Sequence, residues 1–295
     1  MKSGYATKFF LIVLTLVLWS GQVMGGLFDD RYPSARVMSM GGAGVATLNG
    51  VWSPYYNPAA LSRLNNAALG TSYQRLYNLA FFRNFFGGAA MPISDRYGSV
   101  SVNAQYFGVD YEGENLTGEF TFAVSHGFYL LKDVHSSLSF GYSLKSYYLS
   151  YGTSVDGLDL GSTTAFGLDV GFQASVYSRT FVGLYFLNLN NPKVGQFTKH
   201  ELPQRIVVGV AYQPYDGVTT TFDLNRLLTA NDMEFWGGAE FQVMKYLSLR
   251  FGATTNPGRF TAGLGLEIDR YQLEYGMRTH SELGETHTIG LNVAL

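Results

Sequence analysis

The chain has 295 residues, 14% charged and 16% aromatic, with 35 glycines, no cysteine and a formal net charge of -2. Without cysteine there is no disulfide, no thiol nucleophile, no cysteine–zinc site and no lipid anchor on sulfur. A near-neutral balance offers no electrostatic footprint for a nucleic acid partner.

The first 25 residues read as a leader. Lys2 and Lys8 precede the apolar run 9–19, interrupted only by Thr15, and small or polar residues follow up to Gly25 and Gly26. A basic start, a short apolar core and a small-residue end are the marks of a signal peptide. The run is shorter than the roughly twenty apolar residues of a spanning helix. No later segment reaches that length either. The chain is therefore expected to be exported, either into the periplasm or into the outer membrane of a bacterium as a β-barrel.

Residues 26–66 come next. Gly42-Ala43-Gly44 begins a glycine pattern, but Thr47 stands where a dinucleotide fingerprint needs its third glycine. Asn49-Gly50 and Ser53-Pro54 also break the helix that such a site requires. The segment is rich in small residues, turns at Asn57-Pro58-Ala59 and carries Trp52, Tyr55 and Tyr56. Glycine permits close backbone packing and proline fixes tight turns. A compact hatch inside a barrel fits this composition; an unstructured leader into the barrel is the other reading.

From residue 67 to 295 the pattern has period two. Phe260, Ala262, Leu264, Leu266 and Ile268 fall on one face of a strand, with Thr261, Gly263, Gly265 and Glu267 on the other. Successive strand side chains point to opposite faces, so one face is apolar and the other small or polar. Segments of this kind are expected at 67–75, 79–91, 97–108, 118–129, 137–150, 161–176, 179–189, 203–213, 217–227, 232–243, 245–254, 258–268, 270–278 and 285–295. The connections are tight at 92–96, 177–179, 214–217, 244–245 and 269–270, and longer at 109–117, 151–160, 190–202 and 279–284. Tyrosines gather at both sets of strand ends: Tyr97, Tyr129, Tyr177, Tyr212, Tyr215, Tyr246 and Tyr271 by the tight turns, Tyr77, Tyr106, Tyr111, Tyr148 and Tyr151 by the long loops. Outer-membrane barrels combine short periplasmic turns, longer external loops and two aromatic girdles. A soluble sandwich would use shorter strands and turn Lys and Glu to water. The expected fold is all-β: a transmembrane antiparallel barrel of about fourteen strands with an N-terminal hatch.

The second face of these strands carries Lys145, Asp169, Asp223, Glu234, Glu240, Arg250, Glu267, Glu274 and Arg278. They read as mutually compensating lumen charges or, more sharply, as a polar pathway. His126, His135, His200, His280 and His287 are scattered without metal-ligand spacing. No metal, no other cofactor and no catalytic residue is expected.

Residues 34–46, Ser-Ala-Arg-Val-Met-Ser-Met-Gly-Gly-Ala-Gly-Val-Ala, with 55–61, Tyr-Tyr-Asn-Pro-Ala-Ala-Leu, resemble the N-terminal hatch of the FadL-type outer-membrane superfamily. The strand 202–210 and the stretch 283–287 look more like its PorV/PorQ branch, which is associated with type IX secretion. The resemblance implies a fourteen-stranded barrel with Asn57, Pro58 and Ala59 in a hatch turn within the lumen. It implies a partner-binding role in protein secretion or surface attachment, with secretion-system proteins or cargo as partners. The alternative is a transporter of long-chain fatty acids or other hydrophobic small molecules. The chain is shorter than typical fatty-acid transporters, and strand 97–108 lacks the proline that would kink it, which argues against a lateral exit there.

Overall fold

A computed structural model describes residues 27–29, 31–48, 50–153, 158–196 and 198–295. The expected leader lies outside these residues.

The wall is built from β1 (Ala68–Arg75), β2 (Phe82–Ser94), β3 (Gly98–Tyr111), β4 (Glu114–Lys132), β5 (Ser136–Tyr151), β6 (Ser162–Val176) and β7 (Thr180–Leu187). A small hairpin, β8 (Lys193–Val194) with β9 (His200–Glu201), interrupts the series. The wall resumes with β10 (Arg205–Tyr212), β11 (Val218–Leu227), β12 (Asp232–Met244), β13 (Leu247–Thr254), β14 (Arg259–Ile268), β15 (Tyr271–Arg278) and β16 (Thr286–Ala294). These fourteen wall strands form one closed antiparallel barrel in which β1 pairs with β16. Closure removes the two free edges of an open sheet, as a lipid environment demands. The longest stretch of wall strand without a strand partner is 162–169 of β6, on the β7 side.

The apolar face of each strand points outward. Phe166 is 70% exposed and Phe260 63%, and Leu144, Phe222, Phe251 and Ile268 are exposed with them. So large an apolar surface is stable only against hydrocarbon. Of the expected girdle residues, Tyr97, Tyr106, Tyr111, Tyr148, Tyr177, Tyr212, Tyr215, Tyr246 and Tyr271 are exposed, whereas Tyr77, Tyr129 and Tyr151 are half-buried.

Two local features depart from the expected pattern. Residues 109–117 form no long loop: β3 and β4 run on to a two-residue turn, Glu112-Gly113, at φ of 52° and 90°. Two left-handed residues are what a tight hairpin turn needs. The polar stretch masked this, because strands that extend beyond the bilayer have no apolar face to show. Within 190–202 the hairpin β8–β9 folds back, fully burying Val194 beside Leu202 against Tyr147 and Leu149.

The ladder of β3 is continuous, with irregularities only near its ends, at Pro92/Ser94 and Val109/Asp110. The β6–β7 ladder is shorter, stopping at Val170–Phe186. Beyond it the Asn190 side chain stands in for a strand: its Oδ1 accepts from Leu168 N at 2.9 Å and its Nδ2 donates to Phe166 O at 2.8 Å.

Candidate functional site

The lumen holds the segment that precedes β1. It contains α1 (Ala35–Ser39), a 3-10 turn (Gly50–Trp52), α2 (Ser53–Tyr56) and a second 3-10 helix (Pro58–Arg63). Each piece has a local cause. Ser34 Oγ accepts from Val37 N at 3.2 Å and caps α1. Pro54 lies in the first turn of α2, where a missing N–H costs nothing. Asn57 Oδ1 accepts from Ala59 N at 3.0 Å and caps the last helix. Asn57 Nδ2 also donates to Val45 O and Phe172 O, both at 2.9 Å. The Asn57-Pro58-Ala59 turn is thus tied both to the rest of the segment and to the wall. Asn57, Ala59 and Leu61 are completely buried.

The wall makes room for this segment with paired glycines. Gly127 pairs with Gly141 and Gly141 with Gly171, giving a row across β4, β5 and β6 beneath Asn57 and Pro58. Gly70–Gly88 lies against Val51, Gly183–Gly209 against Val45, Gly238–Gly252 against Met40 and Gly263–Gly276 against Ser39. A Cβ on Gly238 would stand 2.5 Å from Met40 Cα. The small residues of the lumen face therefore form a belt on which hatch backbone packs directly on wall backbone.

Charge pairs lock the hatch in place. Arg31 binds Glu119 through Nη1 at 2.6 Å and Nη2 at 2.8 Å, and Phe28 N donates to the same carboxylate at 2.7 Å. Arg36 binds Glu240 through Nε and Nη2, both at 2.8 Å. Glu240 is shared with Arg250 at 2.5 Å, and Arg250 continues to Glu274 at 3.3 Å. Arg205 meets Asp29 at 2.5 Å and Glu234 at 3.7 Å. Such two-pronged guanidinium–carboxylate pairs fix orientation as well as energy. Burial disfavours the Arg36 cation, yet Glu240 more than offsets it and holds that guanidinium above its usual pKa. Asp223 works differently: its Oδ2 accepts from two successive hatch amides, Gly44 N at 2.8 Å and Val45 N at 3.0 Å. Successive N–H groups form a concave anion cradle.

Of the other lumen charges, Lys145 lies 2.6 Å from Asp169, which also accepts from Tyr185 Oη at 2.6 Å and Asn188 N at 2.8 Å. Glu234 accepts from Asn225 Nδ2 at 3.0 Å and Trp236 Nε1 at 2.9 Å. The Arg278 guanidinium lies 4.8 Å over the Tyr32 ring. Glu267 is exposed. Sequence reasoning on wall strands missed the hatch partners Asp29, Arg31 and Arg36, and Glu119 opposite them. The available signal was the rarity of charge in the segment: Arg36 sits alone in a run of small and apolar residues.

The hatch divides the lumen into two cavities, and no described residue lines both. The outer cavity, of about 120 Å³, faces the longer loops. Aromatic residues surround it: Phe28, Tyr32, Tyr55, Tyr56, Tyr147, Tyr185 and Trp236, with Val45, Leu187 and Val207 between them. Its polar lining comes from Asp29, Arg31, Gln105, Thr121, Lys145, Asn188, Arg205 and Asp223, most of them paired with one another or with the hatch. Burial raises the pKa of the Tyr55 and Tyr56 phenols, so both stay neutral donors. The inner cavity, of about 540 Å³, opens toward the tight turns and is lined by Arg36, Arg63, Glu240, Glu267, Gln272, Asn292 and other polar residues. Trp52 lies on this side, with Nε1 donating to Asn292 Oδ1 at 2.9 Å. The three hatch aromatics singled out in the sequence thus separate: Tyr55 and Tyr56 face outward, Trp52 inward.

No family model and no curated protein matches the sequence. Solved structures do match the fold. The toluene transporter TodX of Pseudomonas putida is 11% identical over 91% of this chain and 98% of that one, with a TM-score of 0.63. The toluene transporter TbuX of Ralstonia pickettii is 12% identical over 88% and 98%, with a TM-score of 0.61. A Pseudomonas aeruginosa FadL homologue is 10% identical over 90% and 99%, with a TM-score of 0.58. The closed wall, its apolar exterior and these likenesses make the chain a barrel of the bacterial outer membrane with the FadL-type fold.

Proposed function

We propose that this barrel admits small hydrophobic molecules, single-ring aromatics above all, and passes them inward past its hatch. The observation that carries this reading is the outer cavity: a pocket of about 120 Å³ lined by seven aromatic side chains, some of them from the hatch, with paired charges such as Lys145 and Arg205 at its margin. An apolar cavity of about 150 Å³ is known to hold one benzene ring, whereas pockets for drug-sized ligands span about 300–1,000 Å³. One ring fills such a pocket, whereas an extended fatty acyl chain would have to project out of it. The toluene transporters among the structural neighbours agree with that size. Aromatic walls hold an aromatic ligand through edge-to-face contacts beyond plain area burial.

The ladder of β3 is continuous through its middle, which gives no lateral exit there, and the reading takes the route past the hatch. The hatch is held both by buried apolar clusters, such as Val37, Met38, Val51, Trp52 and Leu61 against Phe86 and Ala90 of the wall, and by ion pairs. Passage past it therefore requires the ion pairs to part and the apolar contacts to shift. The partner-binding reading of the PorV/PorQ kind draws on the likeness at 202–210 and 283–287. It has less to work with on the outside. The expected contact segment 109–117 is a tight turn, and the one at 190–202 tucks Val194 and Leu202 inward.

The test is uptake of radiolabelled toluene by cells with an intact lipopolysaccharide barrier, with and without the protein. Protein-dependent, saturable uptake of toluene but not of oleate is the expected result. Absence of uptake, together with co-purification of secretion-system components, would replace this reading with the partner-binding one.

A further inference from the structure

The inner cavity contains a cation that the hatch locks do not use. Arg63 ends the last 3-10 helix of the hatch, Pro58–Arg63, and its guanidinium carbon lies 4.1 Å over the Phe181 ring. Its Nη1 is buried without a hydrogen-bond partner among the described residues, and no carboxylate among them forms a salt bridge with it. The neighbouring carboxylates are committed elsewhere: Glu240 to Arg36 and Arg250, Glu274 to Arg250. Glu267 is exposed at the turn end, where solvent and salt screen it most. Burial first, and Arg36 after it, lower the Arg63 pKa, as befits a charge that lacks an anion. Stacking on a ring orients a guanidinium but leaves its N–H fork unsatisfied.

We infer that Arg63 is an anion-binding site on the periplasmic side of the hatch, and that its ligand is the carboxylate of a small organic acid. A single planar fork matches a planar monoanion in a two-pronged pair. A phosphate dianion would call for a second cation as free as Arg63, whereas Arg36 already holds Glu240 and Arg250 holds Glu240 and Glu274, with only Nη1 of Arg250 left without a partner. The cavity is large enough for a ring bearing such a group, at about 540 Å³. The inference rests on the reading that small molecules cross the hatch. It extends that reading from plain hydrocarbons to aromatic acids, which would leave the barrel past a cation.

The experiment is fluorine NMR on the purified full barrel in detergent, with 4-fluorobenzoate and its neutral counterpart fluorobenzene as probes. Both should bind the native protein. Arg63→Gln should weaken 4-fluorobenzoate by about tenfold or more, the scale of one charge-assisted pair, and leave fluorobenzene unchanged. Arg63→Lys should keep most of the affinity. Should Arg63→Gln fail to fold, the native protein still decides. Raising chloride from about 0.05 M to about 0.5 M should then release 4-fluorobenzoate but not fluorobenzene, by competition and screening at the cation. Unaltered 4-fluorobenzoate binding in a folded Arg63→Gln barrel would overturn the site, as would native protein that binds fluorobenzene alone. If neither probe binds, the transport reading itself fails, and the anion site falls with it.

Discussion

The two cavities of this lumen differ in size, chemistry and construction. The outer one is small and aromatic, and hatch side chains such as Tyr55 and Tyr56 form part of its wall. The inner one is more than four times larger and is lined by arginine, glutamate, glutamine and asparagine. A ligand would be selected by shape and apolar contact on one side, then released into a hydrated space on the other. The partition between them is one short segment whose seat is a belt of glycines and whose fastenings are ion pairs and buried apolar contacts. Selectivity and closure therefore depend on different residues, and substitutions can separate them.

The largest expected effect comes from filling the seat. In Gly141→Val the new side chain meets the backbone of Pro58, which has no flexible end to yield. The hatch should fail to dock and the two cavities should merge, with steady ion conductance in planar bilayers where the native protein stays closed. Next is Glu240→Ala, which leaves Arg36 and Arg250 side by side without their shared acceptor. Removing one partner of a buried pair costs about 3–5 kcal/mol. Protease digestion of the hatch should begin at clearly lower urea, while the wall stays resistant.

Asp223→Ala removes the acceptor for Gly44 N and Val45 N beside the outer cavity. Leaving buried donors unsatisfied costs about 1–3 kcal/mol each. Faster amide hydrogen exchange at Gly44 and Val45, with unchanged exchange at Arg36, would place the loosening on the outer side alone. The smallest effect belongs to Trp52→Phe, which loses one hydrogen bond to Asn292, worth about 1 kcal/mol, and part of a buried indole, worth about 1 kcal/mol more. It should shift hatch stability modestly and leave toluene binding in the outer cavity as it was.

Much of the wall was legible in the sequence because a lipid-facing strand must alternate. Phe260, Leu264 and Ile268 announce their face without any help from tertiary structure. The ends of β3 and β4 were not legible, since strands that project past the bilayer carry no apolar marker. The hairpin β8–β9 was hidden for a related reason: Val194 and Leu202 are isolated apolar residues whose burial depends on where the loop lands. In the site, the Asn57-Pro58-Ala59 turn could be read locally, because capping and proline geometry are local. The locks could not, because Arg36 and Glu240 meet across 204 residues of sequence. The purpose of the wall glycines was equally hidden. A small residue on a strand reads as lumen-facing, but only the docked hatch shows that Gly127, Gly141 and Gly171 form one platform.

The claim that a single aromatic ring is the right guest for the outer cavity can be measured with a probe the protein already carries. Trp236 lines that cavity, edge-on to Tyr32 of the hatch, with ring centroids 6.2 Å apart. In a Trp52→Phe chain that starts at Gly26, and so is without Trp19, Trp236 is the sole tryptophan. Titration with toluene should give a saturable change in its fluorescence, and oleate should give none. A flat response to toluene, or an equal response to oleate, would contradict the account.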